Sequence, residues 1–380
     1  MKNCCTEKLF ILPAARFLQP IQTILYTPLP IQKGRFYMKT WNGFEKGINL
    51  GGWLSQWDLT DREHLETFIT EQDIQDIRAM GADHVRLPVD YSLIEEEDGT
   101  PKDENFIYID RCLEWCKKAG LHVLLDLHKT AGYAFDEAKD CASFFESPAL
   151  QERFLCLWDK LAARYGKYSD FVAFDLLNEI VDPDVAEIWN ALALRAVERI
   201  RRVTKETDLL IGGARYNSIM SVKDLILPPD EHIVYSFHCY EPILFTHQGA
   251  YWVDGMPEDF RIGYPLDTAT CKQLSKKMMP VEMSDILDLV ASDAQGKDFF
   301  LDLFRPAVKI AEERNVALYC GEYGVIDRAN PEDTVRWYEA IHAAFTELGI
   351  GRAMWTYKAL DFGLVGEHYA GVRKDLIALL

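Results

Sequence analysis

From residue 46 onward the chain alternates two kinds of pattern. Short, nearly continuous apolar runs cover residues 47–50, 84–89, 122–128, 171–179, 209–214, 233–240, 317–322 and 352–357. Runs this short, rich in Val, Ile, Leu and Phe, read as strands buried on both faces. Between them lie longer stretches, 71–80, 109–119, 149–165, 185–204, 299–313 and 331–348, with apolar residues at helical spacing; Ile74 and Ile77 are one such pair. Three of these stretches stop just before Gly81, Gly120 and Gly349, where glycine supplies the left-handed residue that ends a helix. Strands that alternate with helices pair in parallel, because a crossover must carry the chain back to the same end of the sheet. Eight strands in about 310 residues predict an α/β protein, a single-domain (β/α)8 TIM barrel. An open, doubly wound sheet is the alternative, but no G-x-G-x-x-G follows its first strand.

One link is too long for this scheme. After the sixth strand, residues 242–297 carry Tyr251, Trp252, Phe260 and Tyr264 among scattered charges. Connections of that length fold locally or serve function. A surface insertion with its own helix near 284–292 and a lid over the site are both open readings. At the other end, Pro13, Pro20, Pro28 and Pro30 interrupt the apolar residues of the first 37 positions, so no clean secretory signal is read there. Met38-Lys39-Thr40-Trp41 reads like a natural start. Residues 1–37 are therefore expected to be an N-terminal extension, and residues 38–380 the barrel domain.

Composition narrows the partners. The 380 residues carry 60 acidic and 41 basic side chains, a net charge of −19, which repels phosphates and anionic lipid headgroups. No apolar run is long enough to span a bilayer. A neutral ligand meets no such repulsion, and aromatic residues at 12% of the chain are the flat surfaces a sugar would use. Nine cysteines, none in C-x-x-C spacing, suggest reduced thiols, a cytoplasmic setting and no zinc site. No cofactor is implied, and the oligomeric state is not readable.

In such a barrel, chemistry sits at the C-terminal ends of the strands. Reading only those positions yields Asn49, Arg86, Asp126, His128, Asn178, Glu179, His238, Tyr240, Glu322 and Trp355. Charged groups are costly in strands unless paired or used. Asp126 and His128 are two apart and share a face, as do His238 and Tyr240. Glu179 and Glu322 end the fourth and seventh strands and face each other across the mouth. Facing carboxyls are what glycosidic-bond cleavage requires, although each could instead pair with an Arg or Lys for stability.

Seven pieces taken in order resemble glycoside hydrolase family 5, the cellulase-like retaining β-glycosidases. They are Gly47-Ile48-Asn49-Leu50-Gly51-Gly52-Trp53, Val85-Arg86-Leu87-Pro88, Asp126-Leu127-His128, Leu177-Asn178-Glu179, Phe237-His238-Cys239-Tyr240, Gly321-Glu322-Tyr323-Gly324 and Trp355-Thr356-Tyr357. The resemblance implies Glu179 as general acid/base and Glu322 as nucleophile. It implies Asn178 on the sugar 2-hydroxyl, Arg86 beside Glu322, Tyr240 holding Glu322, and Trp355 as a platform under the sugar. His128 and His238 are expected to bind hydroxyls or tune Glu179, and Asn49 to join the substrate-binding surface. Trp53, Trp57, Trp252 and Asp361 are further sugar contacts or structural residues. The implied ligand is a neutral β-linked gluco-oligosaccharide or polysaccharide, β-1,3 or β-1,4, with no metal. A β-mannanase of the same family, a sugar-binding barrel without turnover and a metal-dependent barrel hydrolase are the alternatives; the metal case would want an H-x-H pair, which His128 and His238 do not form.

Overall fold

The computed structural model describes residues 38–136 and 141–380, so the expected N-terminal extension, 1–37, lies outside the described residues. Eight parallel strands close into a barrel in sequence order: β1 (Lys46–Asn49), β2 (His84–Asp90), β3 (His122–Lys129), β4 (Val172–Asp175), β5 (Leu209–Gly212), β6 (Ile233–Cys239), β7 (Ala317–Tyr323) and β8 (Gly351–Met354). The expected eight strands are therefore all present. Their outward side chains, among them Ile48, Val85, Leu87, Val123, Phe174, Ile211 and Phe237, belong to the large core packed against the helices. Parallel strands covered in this way carry apolar residues on both faces, which is why they read as continuous runs.

The surrounding helices are α1 (Glu71–Ala79), α2 (Phe106–Ala119), α3 (Pro148–Tyr165), α4 (Ala186–Ile200), α5 (Thr268–Met278), α6 (Lys297–Arg314), α7 (Pro331–Leu348) and α8 (Arg373–Ala378). Local chemistry sets their ends. Thr70 and Asp73 form a reciprocal capping box at the start of α1. Ser147 and Asn330 cap α3 and α7, each followed by a proline at the first helical position. Gly120 and Gly349 take left-handed conformations that close α2 and α7. Between β5 and β6 the chain makes only a four-residue helical turn and a 3-10 segment. The insertion after β6 has its main helix at α5, not near 284–292, where only short turns follow.

The barrel interior is layered. Leu124, Ala173, Leu210, Val234, Ala317, Tyr319 and Ala353 form an apolar floor, closed from below by Phe44. Trp41 stacks on Phe44 with centroids 3.9 Å apart. Above this floor the inward positions turn polar, starting with Arg86, Asp126 and Asp175. One strand breaks the alternation. On β6 and β7, Phe237 pairs with Cys320 but His238 pairs with Glu322, so Gly321 is an extra residue. The same bulge separates Cys320 from Tyr323 against β8. A regular strand would turn Glu322 to the outer face with Cys320; the bulge turns it inward. Only glycine fits there, because a Cβ on Gly321 would stand 2.9 Å from His238 Nε2.

Candidate active site

Arg86 organises the mouth from below and is fully buried. Its Nη1 donates to Glu322 Oε1 at 2.7 Å and to Asn49 Oδ1 at 3.1 Å. Its Nε donates to Asp175 Oδ2 at 3.2 Å, and Nη2 to Asn178 Oδ1 at 2.9 Å. Nη2 also lies 3.1 Å from Asp126 Oδ2. One guanidinium thus holds a ring of carboxyls and amides in place, a use of its rigid donor fork that lysine cannot reproduce. Asp175, which sequence reading missed inside the fourth apolar run, is part of this ring.

The two glutamates stand above it. A carboxylate oxygen of Glu179 and one of Glu322 lie within 4.8 Å of each other, and His238 Nδ1 stands 2.7 Å from Glu179 Oε1 and 3.7 Å from Glu322 Oε2. Glu179 sits four residues past the end of β4, on a loop stitched to the barrel: Leu176 N–H donates to Leu210 O, and Asn178 N–H to Leu127 O. Tyr133, also missed in the sequence, clamps that loop, its hydroxyl donating to Glu179 O and accepting from Val181 N–H. His238 Nδ1 meets Glu179 Oε1 at 2.7 Å. Tyr240 donates its hydroxyl to Glu322 Oε2 at 2.9 Å.

These surroundings separate the two carboxyls. Burial raises the Glu179 carboxyl well above its ordinary value, and the negative Glu322 raises it further. Burial also raises Glu322, but Arg86 and the Tyr240 hydroxyl oppose the shift. When the pair carries one proton, it therefore resides on Glu179. Burial presses His128 down to about 3 and His238 well below its usual value, so both imidazoles are neutral. Asp126 and Asp175 are each pushed up to about 7 by burial against the pull of Arg86. Among the described residues Glu179, His238 and Glu322 are the one group of three close enough to hold a metal ion. A cation there would displace the Glu179–His238 bond and face Arg86, so the closeness is that of an acid–base pair.

The other sequence-predicted residues divide by depth. Trp355 follows β8 directly and lies parallel to His128, centroids 5.8 Å apart. Gly51 makes room for it, since a Cβ there would come within 2.7 Å of the indole. Asn178 Nδ2 and His128 Nε2 make no hydrogen bond within the protein although buried. Four residues expected on the substrate-binding surface do not line it, although Arg86 does stand beside Glu322 and His238 does bond Glu179 as expected. Asn49 is fully buried, its amide donating to Gly321 O at 2.9 Å, so it braces the floor of the site and touches no substrate. Arg86, sealed by its carboxyl ring, is likewise a positioning residue. Trp53 is buried, donates to Leu65 O and stacks on Trp115, which makes it core. His238 spends Nδ1 on Glu179 and turns Nε2 toward Gly321, so it serves the acid and not a sugar hydroxyl. Trp57, 48% exposed and stacked on His64, is the indole of that loop that meets solvent. Trp252 lies on the insertion, 43% exposed.

The ring around Arg86 makes a testable demand. Arg86→Ala leaves Asp126, Asp175 and Glu322 buried without their counter-ion and is expected to cost about 3–5 kcal/mol of stability at pH 8. At pH 5 the loss shrinks, because the abandoned carboxyls take up protons in the folded state. Denaturant unfolding at both pH values measures it, and an equal loss at both would contradict the ion-ring account.

A TIM barrel whose mouth brings two buried carboxyls this close, one proton-bearing and one ion-paired, is the arrangement of a retaining glycoside hydrolase. Comparison with known proteins agrees. The family model described as Cellulase (glycosyl hydrolase family 5) matches residues 42–361, and the chain belongs to that family. It is 40% identical to Endoglucanase C of Acetivibrio thermocellus over 341 residues, 89% of this chain and 98% of that one. It is also 40% identical to Cellodextrinase A of Ruminococcus flavefaciens, over 82% of this chain and 84% of that one. The fold superposes on that of endoglucanase Cel5A from Thermotoga maritima with a TM-score of 0.70 at 23% identity, covering 89% and 97% of the two chains.

Proposed function

We propose that this chain hydrolyses β-1,4-linked gluco-oligosaccharides and accessible glucan chains by double displacement. The observation that carries the proposal is the separation of Glu179 and Glu322, within 4.8 Å at their nearest donor atoms. Retaining enzymes place the two carboxyls about 5–5.5 Å apart, whereas inverting ones leave about 6.5–9.5 Å for a water. Glu322, ionised against Arg86 and aligned by Tyr240, attacks the anomeric carbon. Glu179, protonated and held by His238, gives its proton to the departing oxygen. A glycosyl ester on Glu322 results, and Glu179 then takes a proton from the water that cleaves it. Asn178 Nδ2, with its carbonyl oxygen fixed by Arg86, offers a donor to the 2-hydroxyl. Trp355 supplies an apolar face under the same sugar. The β-1,4-glucan assignment follows the names of the relatives at 40% identity, an endoglucanase and a cellodextrinase. The substrate is neutral, so the charge of −19 does not oppose it. A cytoplasmic setting is part of the proposal, supported among the described residues by the free thiols of Cys112, Cys116, Cys239, Cys271 and Cys320.

Proton NMR of cellotetraose or cellopentaose during the first minutes of hydrolysis tests the stereochemistry. The new reducing end is expected as the β-anomer, which then mutarotates. The α-anomer appearing first would overturn the mechanism.

A further inference from the structure

The two catalytic carboxyls are mounted differently. Glu322 lies within β7, and Arg86 and Tyr240 hold its oxygens directly. β4 ends at Asp175, so Glu179 stands on irregular chain, and its place in the mouth depends on where that chain is pegged. Most pegs are backbone groups: Leu210 O takes Leu176 N–H at 3.2 Å, Leu127 O takes Asn178 N–H at 3.0 Å, and Ile180 O takes Tyr216 N–H at 3.0 Å. Trp158 Nε1 donates to Leu176 O at 3.0 Å, short of Glu179 itself. Among the described residues, the one side chain bonded to the backbone of residues 178–181 is that of Tyr133.

The Tyr133 hydroxyl donates to Glu179 O at 2.5 Å and accepts from Val181 N–H at 2.9 Å. One oxygen therefore fixes the peptide groups on both sides of Ile180. Tyr133 is itself rigidly mounted. Its backbone exchanges hydrogen bonds of 2.9 and 3.1 Å with Thr130, across a turn where Gly132 has a φ of 77°. Its ring is buried, edge-on to Phe145 with centroids 5.4 Å apart and tilted against Phe144 at 5.9 Å. The hydroxyl proton is committed to the Glu179 carbonyl, so the phenol acts through Glu179 and not on a substrate. The loop after β3 thus carries a fixed strut for the loop after β4.

We propose that Tyr133 is a positioning residue that keeps the Glu179 carboxyl within proton-transfer reach of the departing oxygen. The proposal rests on the glucan-hydrolase reading above. A proton passes efficiently only across about 2.6–3.2 Å, and a shift of about 1 Å in a reacting group can cost about 100-fold in rate. The strut should therefore matter in proportion to how much the leaving group needs the proton, while attack by Glu322 is spared.

The test is the dependence of kcat/KM on the leaving group, since kcat/KM here reports the glycosylation step alone. Phenyl β-cellobioside needs a proton on its departing oxygen, and 2,4-dinitrophenyl β-cellobioside does not. Tyr133→Phe is expected to lose about tenfold or more on the phenyl substrate and less than about twofold on the dinitrophenyl one. Both rates come from one preparation, so their ratio is independent of the fraction folded. A second reading uses Glu179 as base: kcat on the dinitrophenyl substrate, limited by deglycosylation, should fall in Tyr133→Phe. Azide, which attacks without a base, should restore it and displace the Glu322 carboxylate to give the β-glycosyl azide. Phe145→Leu keeps the hydroxyl but loosens its seat, and should move the ratio the same way by about two- to threefold; it carries the test if Tyr133→Phe does not fold. Equal losses on both substrates would mean a general disturbance of the site, and no loss on either would mean a clamp that catalysis does not feel; each outcome overturns the proposal. Glu179→Gln sets the full scale of the signature. If Glu179→Gln lacks it, the acid/base assignment fails, and if wild type cleaves neither glycoside, the hydrolase reading fails; in both cases the role of Tyr133 falls with them.

Discussion

Replacing Glu322 by alanine is expected to lower kcat on cello-oligosaccharides by about 10⁴-fold or more, the largest effect of any single change in this chain. No other carboxyl can take its place. Asp126 and Asp175 lie deeper, tied to Arg86 in the floor of the site, and Glu179 is turned toward His238. Misfolding does not explain such a loss. The variant still has Asp126 and Asp175 to balance Arg86, and the buried site becomes less negative, so its thermal midpoint should stay near that of wild type. The decisive observation is chemical rescue. Sodium azide fits the space left by the carboxylate and attacks the anomeric carbon from the same face, so an activated aryl β-glycoside should yield the α-glycosyl azide. A variant retaining wild-type rate, or one rescued with formation of the β-azide, would refute the role of Glu322.

The second large effect is that of Glu179→Gln. The amide keeps the shape and the contact with His238 but has no proton to give. Hydrolysis of cello-oligosaccharides, whose leaving oxygen needs protonation, should fall by about 10³–10⁴-fold. A 2,4-dinitrophenyl glycoside leaves without help, so its kcat/KM, which reports the first step, should fall far less. The pH profile supplies an independent check. In wild type, activity falls as pH drops through the pKa of Glu322, which must be ionised. It also falls as pH rises through that of Glu179, which burial and Glu322 hold well above the ordinary carboxyl range. These limbs belong to the coupled pair, and the variant should lose the alkaline limb and keep the acidic one. An unchanged bell would assign the acid to another group.

Much of this site can be read in the sequence because strands have a simple period. Asp126 and His128, two residues apart, do share a face, and His128 Nδ1 meets Asp126 Oδ2 at 2.6 Å. The strands and helices follow from the two periodicities, and helix ends from Thr70, Gly120 and Gly349. What period does not convey is depth. Asn49 is the last residue of β1 and Arg86 only the third of β2, whereas Tyr240 follows β6, so the first two lie a layer lower, where side chains hold one another instead of a ligand. Nor does composition distinguish Trp53 from Trp57; the chain between them takes a left-handed residue at Gln56, and one indole turns into the core while the other turns out. Tyr133 and Asp175 were missed because their partners, a loop carbonyl and Arg86, are distant in sequence.

The bulge at Gly321 makes catalysis in this barrel a matter of counting as well as of identity. Delete that one residue and every hydrogen-bonded neighbour of β7 can still be found, the apolar pattern survives, and Glu322 remains in the chain. Its carboxylate, however, is carried round to the helix side of the wall, away from Arg86. Substitution libraries, which preserve length, never sample that change. A lineage could therefore lose its chemistry in a single in-frame deletion while every motif except one glycine stays legible.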